Sequence, residues 1–170
     1  MNRTYRICLI GILLLSTIGC DQLTKKVAKA ELISSAPISL LNDLIRFEYA
    51  ENPGAFLSIG ENLPSPILLL FSSLLVGAVI LLLVKLSIQK RNVKLTALIG
   101  LSLLAGGSLG NLTDRVLHNG VVVDFMSVGI GRVRSGIFNL ADIAILIGVF
   151  VLMLVIGKKT DKIDIASRRS

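Results

Sequence analysis

Residues 67–84, ILLLFSSLLVGAVILLLV, carry no charged side chain. A run of this length approaches the roughly 20 residues that an α-helix needs to cross a hydrocarbon core at about 1.5 Å per residue. Such a run has few fates, because in lipid every backbone amide must find its partner within the segment or in a closed barrel. Three other stretches read the same way, at about 7–20, 95–112 and 137–157. With 53% of the 170 residues apolar, the chain is too oily for an ordinary soluble domain, and its length suits one integral-membrane domain. The net charge of +7 does not point to nucleic acid. The basic residues sit in short clusters between the spans, are not interleaved with aromatics, and no tryptophan is present. Cys8 and Cys20 both fall in the first apolar segment, which argues against a disulfide framework or a CxxC metal site. The lone histidine, His118, excludes HExxH zinc chemistry, so neither a metal nor another cofactor is expected.

The clusters of Lys and Arg set an expected topology. Arg3 and Arg6 precede the first span, Lys85, Lys90, Arg91 and Lys94 join the second to the third, and Lys158, Lys159, Lys162, Arg168 and Arg169 follow the fourth. By the positive-inside rule both termini are cytoplasmic, with residues 158–170 a polar, mobile tail whose charge suits anionic headgroups. Residues 21–66 and 113–136 are then extracytoplasmic and hold most of the acidic residues. The basic start and the apolar run ending in STIGC also fit a cleaved lipoprotein signal. Three further spans, and a helical pattern continuing through DQLTKKVAKAEL, favour a retained helix. Leu44 to Tyr49 alternate apolar with charged side chains, the period of a half-buried strand, so a small sheet is expected on the membrane surface. Asn52-Pro53-Gly54 supplies a turn in which glycine is free to take positive φ.

The chemistry concentrates in residues 106–142. Asp142 lies at the start of the last span, where an ionisable group costs about 2.5 kcal/mol or more and marks a candidate functional site. Asp124 is its candidate partner, although spacing alone leaves Asp114 open as well. Asn139 and Asp142, and likewise Asn111 and Asp114, are three apart and share helix faces. Helix capping explains Asn111 adequately; it explains Asp142 less well if that residue sits a turn or more inside its helix. Two carboxylates in a poorly hydrated site do not both ionise. One then takes a proton from water attacking a peptide carbonyl, while the other donates to the oxyanion or the leaving amine. Lys25 follows Asp21 by four residues, the spacing of a same-face ion pair. Arg115 reads as a loop anchor through a carboxylate or a headgroup. Asn52, Gly54 and Phe56 form either a plain turn with an apolar anchor or a grip on a lipidated substrate. The glycine-rich stretch 120–136, with Arg132 and Arg134, is a candidate mobile lid. The alternative use of intramembrane aspartates, a proton relay in a small transporter, lacks the internal repeat that transporters favour.

Five short motifs, taken together, resemble lipoprotein signal peptidase, also called signal peptidase II, a family of bacterial inner-membrane aspartyl proteases. They are DQLTK at 21–25, NPGAF at 52–56, GNLTDR at 110–115, VVDF at 122–125 and FNLAD at 138–142, and the likeness spans nearly the whole chain. The resemblance implies an all-α membrane protein: a four-helix bundle with a small extracytoplasmic β-cradle and a polar loop between helices 3 and 4. It implies Asp124 and Asp142 as the catalytic dyad, with Asp21, Lys25, Asn52, Gly54, Asn111, Asp114, Arg115, Asn139 and Ala141 shaping or supporting the substrate pocket. It also implies the reaction, removal of the signal peptide from a prolipoprotein just before a diacylglyceryl-modified cysteine, with membrane lipids around the site and inhibition by the cyclic peptide globomycin. Cys20 before Asp21, the proline of NPG, and a single alanine before Phe56 depart from the usual pattern.

Overall fold

The computed structural model describes residues 2–54, 64–88 and 94–167, and side chains through residue 157. Phe56, Lys90 and Arg91 lie outside the described residues, as do the side chains of the basic tail. Four helices among the described residues are long and apolar enough to cross a membrane. They are α1 (Arg3–Leu32), α2 (Ser65–Ile88), α3 (Leu95–Leu117) and α4 (Leu140–Ser167), and between them run four short strands, β1 (Ile38–Leu40), β2 (Ile45–Asn52), β3 (Val122–Ile130) and β4 (Val133–Arg134). The fold is mostly helical, as the apolar runs require.

Helix α1 starts where the Asn2 side chain accepts the Thr4 amide at 2.8 Å, satisfying one of the orphan donors of the first turn. Its 30 residues rise about 45 Å, well beyond one hydrocarbon core. The helical pattern expected beyond residue 20 is present. DQLTKKVAKAEL continues the same helix, because Asp21 and Lys25 find partners inside the bundle rather than in water.

Helix α3 is the centre of the bundle, packed most extensively on α4 and also against α1 and α2. Its small residues permit this. A Cβ on Gly107 would run into the Ala141 carbonyl of α4, one on Gly148 of α4 would lie 2.7 Å from the Gly100 oxygen, and one on Gly106 would lie 2.9 Å from Thr17 of α1. Close backbone approach of this kind is what associates helices where lipid offers no hydrophobic driving force. Below the polar layer, Ile10, Leu83, Leu98, Leu101 and Ala105 form an apolar core.

The strands make one antiparallel sheet in the order β1-β2-β3-β4. The alternating stretch is indeed strand from Ile45 onward, within β2, with Leu44 in the turn before it. Residues 120–136, read as a candidate lid, are instead largely β3 and the β3–β4 hairpin, with β3 paired to β2 through registers such as Ala50↔Asp124 and Asn52↔Val122. Asn119 and Gly120, at φ of 54° and 98°, reverse the chain between α3 and β3. At the far end of the sheet Arg134 donates to the Asp43 carbonyl at 2.7 Å and Arg46 to its carboxylate at 2.8 Å, clasping the two hairpins together.

Two helix ends differ from expectation. Helix α3 runs past residue 112 to Leu117, so Asn111 and Asp114 share a helix face, as their spacing implied, and Arg115 is helical as well. Helix α4 continues through the basic stretch to Ser167, where a mobile tail was expected. KKTDKIDIAS has neither glycine nor proline to stop it.

Candidate active site

The polar residues of α1, α3, β3 and the start of α4 converge between the sheet and the outer part of the bundle. Asp142 does not sit deep in α4 but in its first turn. Its Oδ2 accepts the Asn139 amide at 3.1 Å while Asn139 Oδ1 accepts the Asp142 amide at 3.0 Å. This is a reciprocal capping box built from Asn and Asp. The geometry corrects the premise that Asp142 lies too far inside a helix to cap it. Capping uses one carboxylate oxygen; the other, Oδ1, accepts from Asn111 Nδ2 at 2.9 Å across the α3–α4 interface. Asn111 is therefore an interhelical bridge and not a cap.

Asp124 approaches from the sheet and is buried. Asn139 Nδ2 donates to its Oδ1 at 2.6 Å and Asn52 Nδ2 to its Oδ2 at 2.9 Å. One asparagine therefore ties both candidate carboxylates together, and Asn139 itself has no exposed surface. Burial pushes the Asp124 carboxyl up to about 6; the Asn52 amide opposes that shift and the nearby Asp142 carboxylate adds to it. Asn52 is held by the Asx turn expected of NPG, its Oδ1 accepting the Gly54 amide at 2.9 Å. Arg115 secures the same turn from below, donating to the Gly54 carbonyl at 2.6 Å. It is thus an anchor, as expected, but through a main-chain oxygen rather than a carboxylate. Among the described residues its buried Nε has no hydrogen-bond partner.

A second layer supports the first. Lys25 Nζ contacts Asp21 Oδ2 at 2.8 Å and Asp114 Oδ2 at 2.9 Å, three groups shielded from solvent, and Asn111 Oδ1 at 3.0 Å. The expected i,i+4 pair exists, and a second helix, α3, joins it. Asp21 Oδ1 accepts the Ala141 amide at 3.0 Å, and Asp114 Oδ2 accepts the Val123 amide at 3.0 Å. The two carboxylates thus fix the start of α4 and the strand residue before Asp124. Sequence reasoning missed Gln22, whose amide donates to Asp114 Oδ1 at 2.9 Å and to the Gly110 carbonyl at 3.2 Å; a polar side chain beside Asp21 in a lipid-depth helix was the available signal. Gly110, which opens the GNLTDR motif, makes room for the network: a Cβ there would lie 2.6 Å from Asp21 Oδ2.

Beside this network lies a cavity of about 170 Å³. Leu68, Phe71 and Leu75 of α2 give it an apolar wall, and Asn111, Arg115 and Asp142 give it a polar floor. Among the described residues no cluster of His, Cys, Asp and Glu has the arrangement of a metal site.

Membrane-length helices closed around a buried polar network and roofed by a small sheet define a multi-pass membrane protein with a preorganised polar site. A sequence model of the signal peptidase (SPase) II family matches residues 13–157, and the chain belongs to that family. It is 36% identical over 159 residues to the lipoprotein signal peptidase of Syntrophus aciditrophicus, covering 89% of this chain and 96% of that one. It is 34% identical over 143 residues to that of Streptomyces griseus, covering 81% of this chain and 67% of the relative. Among solved structures, a bacterial membrane enzyme determined by the in meso method superposes with a TM-score of 0.78 at 27% identity, covering 92% of each chain.

Proposed function

We propose that this protein is an aspartyl endopeptidase of the bacterial inner membrane, which removes signal peptides from prolipoproteins by cleaving before the diacylglyceryl-modified cysteine. The observation that carries the mechanism is the Asn139 bridge, which binds Asp124 through its side chain and Asp142 through its backbone amide. It supports a pair of carboxylates acting as one unit. In this reading water attacks the carbonyl carbon of the scissile peptide, one carboxylate taking the water proton while the other protonates the carbonyl oxygen. The tetrahedral intermediate collapses by breaking the C–N bond, the amine of the cysteine leaving with a proton from the dyad. The products are a free carboxylate on the signal peptide and a new amino terminus on the lipidated cysteine. A carboxyl group held near 6, as Asp124 is, gives and takes protons readily close to neutral pH.

The remaining site residues act through position. Asn111, Asn139 and Asn52 hold the carboxylate oxygens, while Asp21, Lys25, Asp114 and Ala141 fix the elements that bear them. Arg115 and Gly54 shape the turn that faces substrate, and the unmatched Arg115 Nε is a donor for a substrate carbonyl. The apolar wall from α2 suits membrane lipid and an acyl-bearing substrate, and globomycin, a cyclic peptide, is expected to compete there. The charge pattern supports cytoplasmic termini and a site near the extracytoplasmic face.

Cleavage of a diacylglyceryl-modified prolipoprotein by purified wild type, compared with Asp124→Asn and Asp142→Asn, tests this. Wild type should cleave in a globomycin-sensitive manner, and each variant should lose activity by on the order of 10³-fold or more while remaining folded. Full activity in either variant would dismantle the dyad.

A further inference from the structure

On the other side of β3 from the polar network lies a second, larger cavity of about 380 Å³, within the range of roughly 300–1,000 Å³ typical of small-molecule sites. Its walls are Leu23, Val27, Ala28 and Leu32 of α1 with Phe47 and Phe125 of the sheet, all apolar, and Thr24 of α1 lines it beside Leu23. Side chains alternate along a strand. Asp124 turns toward Asn52 and Asn139, whereas Phe125, the next residue, packs on Ala28 and Leu32. The cavity therefore lies behind the strand that carries Asp124 and outside the proposed peptidase site.

Its connection to the surroundings identifies what fills it. Tyr5, Ile12, Leu15, Leu23 and Val27 of α1 are exposed, Leu23 at 64% and Val27 at 62%. In a membrane-crossing helix this flank faces acyl chains. Leu23 and Val27 belong both to that flank and to the cavity wall, so the cavity is continuous with the lipid-facing surface of the protein. Counting from Arg6 at the cytoplasmic boundary, about 20 residues at 1.5 Å each bring α1 to the outer interface near Lys26, so the cavity straddles that interface, open to the outer acyl chains at Leu23 and reaching the headgroup layer beside Glu31. Its rim carries Glu31, which makes no ion pair among the described residues.

We propose that this cavity is a binding site for an acyl chain of a resident membrane phospholipid whose headgroup carries an ammonium group, as phosphatidylethanolamine does. The chain slides in past Leu23 and Val27 and packs against Phe47 and Phe125, while the headgroup ammonium pairs with Glu31. The bound lipid then forms part of the support behind Asp124. The idea rests on α1 crossing the membrane and not on the peptidase chemistry.

Because the chain has no tryptophan, a single introduced indole reports the site cleanly. The full-length Phe47→Trp variant in detergent micelles is titrated with phosphatidylethanolamine brominated on one acyl chain, alongside Leu15→Trp on the open lipid-facing flank. Phe47→Trp should be quenched saturably at a low lipid fraction, and Leu15→Trp only in proportion to lipid. Filling the cavity with Thr24→Leu should abolish the saturable component. Phosphatidylglycerol with the same brominated chain should bind several-fold more weakly, a difference that Glu31→Gln removes. Proportional quenching at both reporters, insensitivity to Thr24→Leu, or a preference for phosphatidylglycerol would overturn the assignment. Displacement of the lipid by a diacylglyceryl-modified peptide would also overturn it, giving the cavity to substrate. Val27→Trp serves as reporter if Phe47→Trp does not fold. Since no step reads cleavage, failure here and failure of the peptidase reading are separate results.

Discussion

Asp124 shows how one buried side chain is both pushed toward its neutral form and held in order. Burial alone disfavours its charge, and the amides of Asn52 and Asn139 oppose that effect. A donor to a carboxylate stabilises the ionised form. Removing Asn52 should therefore raise the Asp124 value above about 6, and the limb of kcat/KM that depends on ionised Asp124 should move to higher pH in Asn52→Ala. A pH profile for prolipoprotein cleavage that keeps its limb in place would show that another group titrates there. Lys25 poses a different problem, since among the described residues it is the one cation within contact distance of both Asp21 and Asp114. Lys25→Met leaves two buried carboxylates with no neutralising partner, and breaking a buried pair in this way costs about 3–5 kcal/mol. Thermal unfolding in detergent should show the loss, along with inactivity, because Ala141 and Val123 are hung from those carboxylates.

At the scale of elements, α3 sets the site by how closely it lets α1 and α4 approach. Gly107 lies against the Ala141 carbonyl one turn before Asn111 reaches Asp142. A larger residue there should push α4 away and lengthen the Asn111–Asp142 bond. Gly107→Leu is expected to cost about 1–3 kcal/mol through overpacking and to reduce cleavage at least tenfold, whereas Gly11→Ala, with open space around it, should be neutral in both assays. The same elements show what the sequence disclosed and what it withheld. The four apolar runs, the i,i+4 pair of Asp21 and Lys25, and the alternation at 44–49 are local signals, and each became the element its period implies. Every site residue named from the motifs lies in or beside the network. What stayed hidden depends on distant partners. Gln22 of α1 gives no sign of its role until α3 brings Asp114 and the Gly110 carbonyl beside it. β3 reads as a glycine-rich loop until β2 is beside it. Asp142 looks too deep to cap α4 because the chain does not announce that the helix begins at Leu140.

Across the whole molecule, charge and oil are sorted along one axis. The sheet, Asp21, Asp114, Asp124 and Asp142 gather at one end of the bundle, and Arg3, Arg6, Lys85 and Lys94 mark the other. If the basic end is cytoplasmic, the β3–β4 hairpin, where Val133 is 81% exposed, reaches the extracytoplasmic side, and the loop before α3 does not. A membrane-impermeant maleimide can read this directly. In a background with Cys8 and Cys20 replaced by Ala, Val133→Cys should label in intact spheroplasts and Lys94→Cys only after the membrane is opened. The reverse pattern would put the carboxylate pair on the cytoplasmic side. There it could not meet a prolipoprotein whose lipidated cysteine lies at the outer face, so the orientation and the proposed substrate stand or fall together in this experiment.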